Sequence, residues 1–245
     1  MNAIVIFGCG CVAWMTCVVA GAPQNPGRAV INHSAGRIVG RALVRGIPTP
    51  RQRIHTDSEC TRIATGDLYE EAVVADAAGG LANVFVYVKE GLGPASRFDM
   101  PVDPVVITQR KCRFEPHVLG VRAGQPLAIV NEDQMLHDVH GRPVTNPQFN
   151  IGQPIAGMRA TRLFAQPEVM VPLTSDIRPW MAAFVGVVAH PFFAVSQSDG
   201  TFVINGVPTG RYTVEAWHET LGTASVPITV AEGRTAAISF TFAAR

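Results

Sequence analysis

An all-β architecture is what the sequence predicts, on three observations. Short apolar or alternating runs recur from Arg37 to Phe242, no stretch beyond the N-terminal segment sustains a 3.6-residue apolar period, and Asp-Gly and Asn-Gly dipeptides punctuate the last part of the chain. A length of 245 residues is enough for two ordinary β domains, each with its own core.

The elements follow in order. Residues 3–22 form an apolar run, and the Pro-, Gly- and polar-rich residues 23–35 read as a linker. Arg37 to Val44 is the first strand. Ala82 to Val88 is apolar on both faces, so it belongs at the centre of a sheet covered on both sides. Further strands are expected at Pro104 to Thr108, Val118 to Val121, Leu127 to Asn131, Glu168 to Leu173 and Ala182 to Val188. Asp199-Gly200 suits a type I′ turn between Phe192 to Val195 and Thr201 to Ile204. Asn205-Gly206 with Pro208-Thr209-Gly210 makes the next turn, before Tyr212, Val214 and Ala216 alternate with polar residues. Val226, Ile228 and Val230, then Ile238, Phe240 and Phe242, complete two half-buried strands of a small antiparallel sandwich.

A net charge of +1 argues against a general nucleic-acid binder. The basic residues are arginines apart from Lys89 and Lys111, and their placement is uneven. Arg28, Arg37, Arg41, Arg45, Arg51, Arg53 and Arg62 are set against Asp57 and Glu59 alone in that stretch. The basic stretch reads either as a solvated face or as a contact for lipid headgroups or an acidic partner. No Gly-x-Ser-x-Gly, phosphate loop, dinucleotide fingerprint or CxxC is present, and the adjacent His218 and Glu219 lack a second histidine at metalloprotease spacing, so an enzyme is not expected.

The run from Ala3 to Ala22 carries no charge and spans about 30 Å as a helix, a bilayer core's thickness. It reads as an export signal, a membrane anchor or both, with Val18-Val19-Ala20 as a cleavage site. No Lys or Arg precedes it and arginines follow it, a bias that runs against placing the rest of the chain outside. Cys9, Cys11 and Cys17 lie in this run; Cys60 and Cys112 are the pair in the remainder, which in an exported protein oxidises to a disulfide.

From Gly36 to Phe242 the chain resembles a bacterial exported family that combines a cupredoxin domain with a carboxypeptidase-regulatory-like, transthyretin-like sandwich. Phe114-Glu115-Pro116-His117-Val118 with Val121-Arg122-Ala123-Gly124-Gln125 is similar to the strand pair ahead of the first copper ligand. Asn131-Glu132-Asp133 and Leu136-His137-Asp138-Val139-His140 are similar to the segment that carries that ligand, which places His137 at the ligand position. Asp199-Gly200-Thr201-Phe202 and Val207-Pro208-Thr209-Gly210-Arg211-Tyr212 resemble the sandwich signature. The resemblance implies a nested order: residues 36–104 plus 192–245 form the regulatory-like sandwich, and residues 105–191 are the cupredoxin-like domain. It also implies that Cys60 and Cys112 bond the two modules.

Where a cupredoxin of this kind carries Cys-x-x-His-x-x-Met, this chain has Ser175-Asp176-Ile177-Arg178-Pro179-Trp180-Met181. A type 1 copper site needs a thiolate and two imidazoles with a weak axial methionine. A serine hydroxyl stays protonated and an arginine cannot be a neutral ligand, so His137, Ser175, Arg178 and Met181 form a vestigial pocket and no cofactor is expected. His137 with His140, joined by His117 or His190, is the alternative for a histidine-type metal site. Arg178 beside Trp180 makes a pair of the sort enriched in interfaces, unless Arg178 is buried in the old pocket as a local salt bridge.

The function expected is that of a non-catalytic, copper-free structural or interaction subunit on the periplasmic side of a membrane complex, such as a respiratory assembly or a photosynthetic reaction centre and its antenna. Residues 3–22 would associate it with the membrane, and Arg178, Trp180, Arg37, Arg41 and Arg45 are the candidate interface. The rivals are an electron-transfer protein with an atypical copper site, and a periplasmic carbohydrate- or peptide-binding module.

Overall fold

The computed structural model describes residues 35–46, 49–64, 66–93 and 96–244. The anchor or signal at residues 1–22 and most of the linker lie outside the described residues. Among the described residues no helix is long and apolar enough to cross a membrane.

Among the same residues, sixteen strands and one short helix are present, and the strands form four sheets. The first sheet sets β1 (Gly36–Arg45) between β13 (Thr201–Val207) and β16 (Thr235–Ala243). The second runs β12 (Phe193–Val195), β2 (Phe85–Glu90), β14 (Gly210–His218) and β15 (Gly222–Val230). Ile38, Val84, Val86, Val88, Phe202, Val214, Ile238 and Phe240 fill the core between them. The opening strand β1 lies parallel to the last strand β16, Arg37 opposite Thr235 through Arg45 opposite Ala243. The first and last of these strands therefore close one sandwich.

The middle of the chain supplies the other two sheets. One is β5 (Val118–Arg122), β11 (Ala182–Val188), β10 (Glu168–Thr174), β7 (His137–Gly141) and β8 (Phe149–Gln153). The other is β4 (Arg113–Glu115), β3 (Val105–Arg110), β6 (Pro126–Asn131) and β9 (Arg159–Leu163). Parallel pairs β3·β6 and β5·β11 within otherwise antiparallel sheets mark a Greek-key sandwich, whose core holds Ile107, Phe114, Leu127, Ile129, Val139, Val171, Leu173 and Val185. The fold class is all-β, with a cupredoxin-like sandwich in the middle of the chain.

β2 is central, as its two apolar faces require. Val84, Val86 and Val88 point into the first core, while Phe85 turns the other way. Phe85 meets the middle sandwich where Gly120 of β5 pairs with Gly186 of β11. A Cβ on Gly186 would sit 2.4 Å from Phe85 Cζ, and one on Gly120 would sit 2.2 Å from the Phe193 ring. The paired glycines thus open a flat patch that admits two aromatic rings. Val118, Val188, Tyr87, Phe184 and Trp217 complete this third apolar cluster.

Two local expectations change. Asn205-Gly206 is not a turn: it lies inside β13, where the pairing with β1 jumps from Gly36 opposite Val207 to Ile38 opposite Ile204, a bulge that Gly206 supports at φ +70. The helix α1 (Ser58–Ile63) is too short to show a helical period; Asp57 caps it by accepting from Cys60 N at 2.7 Å.

Candidate functional site at the Ser175–Met181 loop

The loop joins β10 to β11 and closes on itself, with Ser175 N donating to Met181 O at 3.2 Å and Met181 N to Arg178 O at 2.8 Å. Asp138, on β7, organises it. Its carboxylate accepts from Ser175 Oγ, from Asp176 N at 2.7 Å and from Ile177 N at 3.3 Å. Ser175 Oγ in turn accepts from Arg178 N at 2.9 Å. The Ser175 hydroxyl is committed in both directions.

Arg178 is only 2 % exposed. Nε donates to Asp57 Oδ2 at 3.0 Å and approaches Cys60 Sγ at 3.0 Å, Nη2 donates to Glu59 Oε2 at 2.9 Å, and Nη1 donates to Leu136 O at 2.6 Å. The same Asp57 that caps α1 therefore anchors the guanidinium. Arg178 locks α1 over the loop, and the Cys60–Cys112 disulfide, with Cα atoms 5.8 Å apart, ties that helix to the turn after β3. Trp180 covers this joint, donating from Nε1 to Cys112 O at 3.2 Å.

His137 is fully buried. Its Nδ1 faces Arg178 Nη1 at 3.4 Å, so the ring proton belongs on Nε2, which donates to Asp133 Oδ2 at 2.8 Å. Burial opposes the Asp133 charge, but His137 and the backbone N–H groups of Cys112 and Lys111 hold its carboxyl below the usual range. Met181, 1 % exposed, belongs to the apolar core.

These residues do not fit a type 1 copper ion. A guanidinium lies beside the imidazole nitrogen that would face the metal, and the serine proton is engaged by a carboxylate. Among the described residues, Cys112, Asp133 and His137 form a group with donor atoms within 4.8 Å of one another, but the Cys112 sulfur is in the disulfide and is not a thiolate. The alternative pair of His137 and His140 does not converge. The two lie three positions apart on β7, which turns them to opposite faces, and His140 Nδ1 instead meets Asp176 Oδ2 at 3.0 Å. Asp176 also accepts from Arg142 and Asn150, so Arg178 does not pair with it.

The candidate interface also changes. Arg178 is buried in ion pairs and offers no surface to a partner, and Trp180 is half-buried. Arg37 and Arg45 are exposed, and with the half-buried Arg41 they share the outward face of β1. Arg41 donates to Asp199 O at 2.8 Å and lies 4.0 Å from Asp76.

Sequence reasoning missed one buried polar pair. His117, between β4 and β5, places Nε2 2.5 Å from Glu219 Oε1 and Nδ1 3.0 Å from Ala182 O. Both ring nitrogens face acceptors, the arrangement of an imidazolium. Burial opposes that charge, yet the Glu219 carboxylate, with Glu71 and the Ala182 carbonyl, holds the His117 pKa above its ordinary value. Next to Glu219, burial pushes His218 down to about 4, aided by the His117 charge and opposed by Glu219. Its Nδ1 accepts from Thr220 N at 3.3 Å and Leu221 N at 3.2 Å. The adjacent His and Glu thus face different partners in different states of charge.

Among the described residues the loop thus sits in a Greek-key sandwich of an all-β protein. Among solved structures, the chain is similar to a Cu-containing nitrite reductase from Thermus scotoductus SA-01, at 23% identity over 40% of this chain and 25% of that one, with a TM-score of 0.32. The chain thus spans a quarter of that enzyme's length. It is also similar to a purple cupredoxin from Nitrosopumilus maritimus (18% identity, 34% of this chain, 98% of that one, TM-score 0.30). A Cu(I) form of an amicyanin mutant matches at 17% identity over 42% of this chain and 97% of that one, TM-score 0.30. No family model matches the chain, and no curated protein matches it.

Proposed function

We propose that the chain is a non-catalytic, copper-free structural or interaction subunit on the periplasmic side of a membrane complex, with a transthyretin-like sandwich at residues 36–104 plus 192–245 hosting the cupredoxin-like domain at 105–191. One observation carries the reading: Arg178 fills the metal corner with a guanidinium held by Asp57, Glu59 and the Leu136 carbonyl. A binding corner has become a fixed joint between the loop and α1. The exposed arginines of β1 and the apolar run at residues 3–22 support membrane-side docking, with acidic groups of neighbouring subunits as the partner chemistry. A respiratory or photosynthetic assembly is the setting we propose.

Affinity capture of the full chain from native membranes, followed by mass spectrometry, tests this. Membrane subunits should co-purify in fixed ratio, and Arg37→Glu with Arg45→Glu should deplete them while the melting temperature holds. Recovery of the chain as a free monomer, or loading with one copper ion per chain, would sink the proposal.

A further inference from the structure

The two-residue turn that joins β3 to β4, between the paired Arg110 and Arg113, is held in a conformation its residues disfavour. Lys111 and Cys112 adopt φ +51 and +56, the mirror-image turn geometry for which Asn-Gly is the usual choice. Asp133 supports it, accepting from Lys111 N at 2.8 Å and from Cys112 N at 2.9 Å. Cys112 is thereby set in the interior, 0 % exposed, against the segment between β6 and β7.

That segment brings three donors to the cysteine. Asp133, Met135 and His137 alternate along it, and the buried Asn131 clamps its backbone, accepting from Asp133 N at 2.9 Å and donating to Met135 O at 2.8 Å. Cys112 Sγ, an Asp133 carboxylate oxygen and a His137 ring nitrogen lie within 4.8 Å of one another, all three residues buried. Met135 Sδ is 3.8 Å from the same sulfur. Thiolate, imidazole and carboxylate are the donors of zinc, and its bond lengths set neighbouring tetrahedral ligands about 3.3–3.8 Å apart. The cluster has to contract by about 1 Å to meet that geometry. What keeps it from ligating is the bond from Cys112 to Cys60, because a disulfide sulfur is not a thiolate.

We propose that Cys112, Asp133 and His137 form a zinc site that the Cys60–Cys112 disulfide masks, so that opening the disulfide turns a structural crosslink into a metal site. A small dithiol opens it: one of its thiolates attacks a disulfide sulfur, the other closes the dithiol into its own cyclic disulfide, and the two electrons leave Cys60 and Cys112 as thiols. Zn(II) then replaces the Cys112 thiol proton, which passes to solvent. On His137 the metal takes Nε2, the nitrogen 2.8 Å from Asp133, and the ring proton moves to Nδ1. Arg178 Nη1, 3.4 Å from Nδ1, turns wholly to the Leu136 carbonyl that it already meets at 2.6 Å. The site uses the edge of His137 turned away from Arg178 and is closed while the disulfide stands, so its failure leaves the structural role proposed above in place.

The test is anaerobic titration of the full chain with Co(II), a coloured substitute for Zn(II), in a background of Cys9→Ser, Cys11→Ser and Cys17→Ser that removes the three other cysteines. Adding Cys60→Ser frees the Cys112 thiol with no reductant present. This variant should bind one Co(II) per chain with thiolate charge-transfer absorption, and Zn(II) should displace the ion, whereas the background with its disulfide intact should show neither. Asp133→Asn and His137→Gln should each weaken binding by at least about tenfold. If Cys60→Ser fails to fold, by near-ultraviolet circular dichroism, the background chain opened with a water-soluble phosphine carries the decision; the phosphine takes up the oxygen of a water as it reduces the disulfide. No stoichiometric binding in either opened form, binding unchanged by Asp133→Asn and His137→Gln, or loss of the fold by both routes overturns the assignment.

Discussion

His117 Nε2 lies 2.5 Å from Glu219 Oε1, across 102 residues of sequence, and this contact joins the turn between β4 and β5 in the middle sandwich to the residue that follows β14 in the other. Because the folded state raises the His117 pKa, its contribution is complete below the unfolded value of about 6.5 and is lost as pH rises through the folded one. A charge-assisted hydrogen bond of this kind contributes about 1.5–3 kcal/mol. Glu219→Gln should therefore lower stability by roughly that amount near pH 6 and by much less at alkaline pH. Denaturant titrations of both proteins across that range check it; a difference independent of pH would rule out the charged pair.

His218 titrates with the opposite sign. Its folded pKa of about 4 lies below the ordinary 6.5, so the neutral ring stabilises the fold above pH 6.5 and the contribution erodes as pH falls toward 4. At about 1.4 kcal/mol for each pH unit between those two values, the loss across that window is at most about 3.5 kcal/mol. Replacing His218 with Asn, whose side-chain oxygen can still accept from Thr220 N and Leu221 N, should flatten this acid limb. An unchanged acid limb would assign acid sensitivity to other groups.

How much of this was legible depends on how local each signal is. β1, β2, β10 and β11 announced themselves because their apolar alternation or continuity reports burial directly. β9 did not: Arg159, Thr161 and Leu163 point outward, and the strand lies at a sheet edge with little apolar pattern to read. That Ser175 and Arg178 cannot act as a thiolate and an imidazole was legible in residue type, but the carboxylates that would hold Arg178 were not, because Asp57 and Glu59 sit 121 and 119 residues away. A separation of 102 residues likewise hid His117 from Glu219. Only the pairing that sets Gly120 and Gly186 side by side shows that they make room for Phe85 and Phe193.

That glycine patch gives a steric prediction. In Gly186→Ala the new methyl would collide with the Phe85 ring, and with β2 fixed between β12 and β14 the ring has little room to retreat. Overpacking of this kind costs about 1–3 kcal/mol. Phe85→Leu removes ring atoms from the same contact, so Gly186→Ala in that background should cost measurably less. Chemical denaturation of the four proteins of this cycle measures the coupling; strict additivity would mean the two sheets do not press on each other there.

The corner between His137 and Met181 allows the proposed copper-free reading to be tested by reversal. Two of the four positions already carry ligand-type side chains, both buried: His137 on β7, and Met181 on the loop whose backbone closes between Ser175 and Met181. Ser175→Cys with Arg178→His would restore a thiolate and a second imidazole, and would release His137 Nδ1 from the guanidinium. The double variant should bind one Cu(II) per chain and show the intense visible absorption of a copper–thiolate bond, whereas the unaltered chain and Ser175→Cys alone should not. Arg178→His also frees Asp57 and Glu59, which are substantially exposed and return to water, but it strands the Leu136 carbonyl, so a stability loss of about 1–3 kcal/mol should accompany it. Colour in Ser175→Cys alone would mean that Arg178 can leave the corner; no colour in a folded double variant would mean that the loop has lost the ligand geometry as well as the ligands.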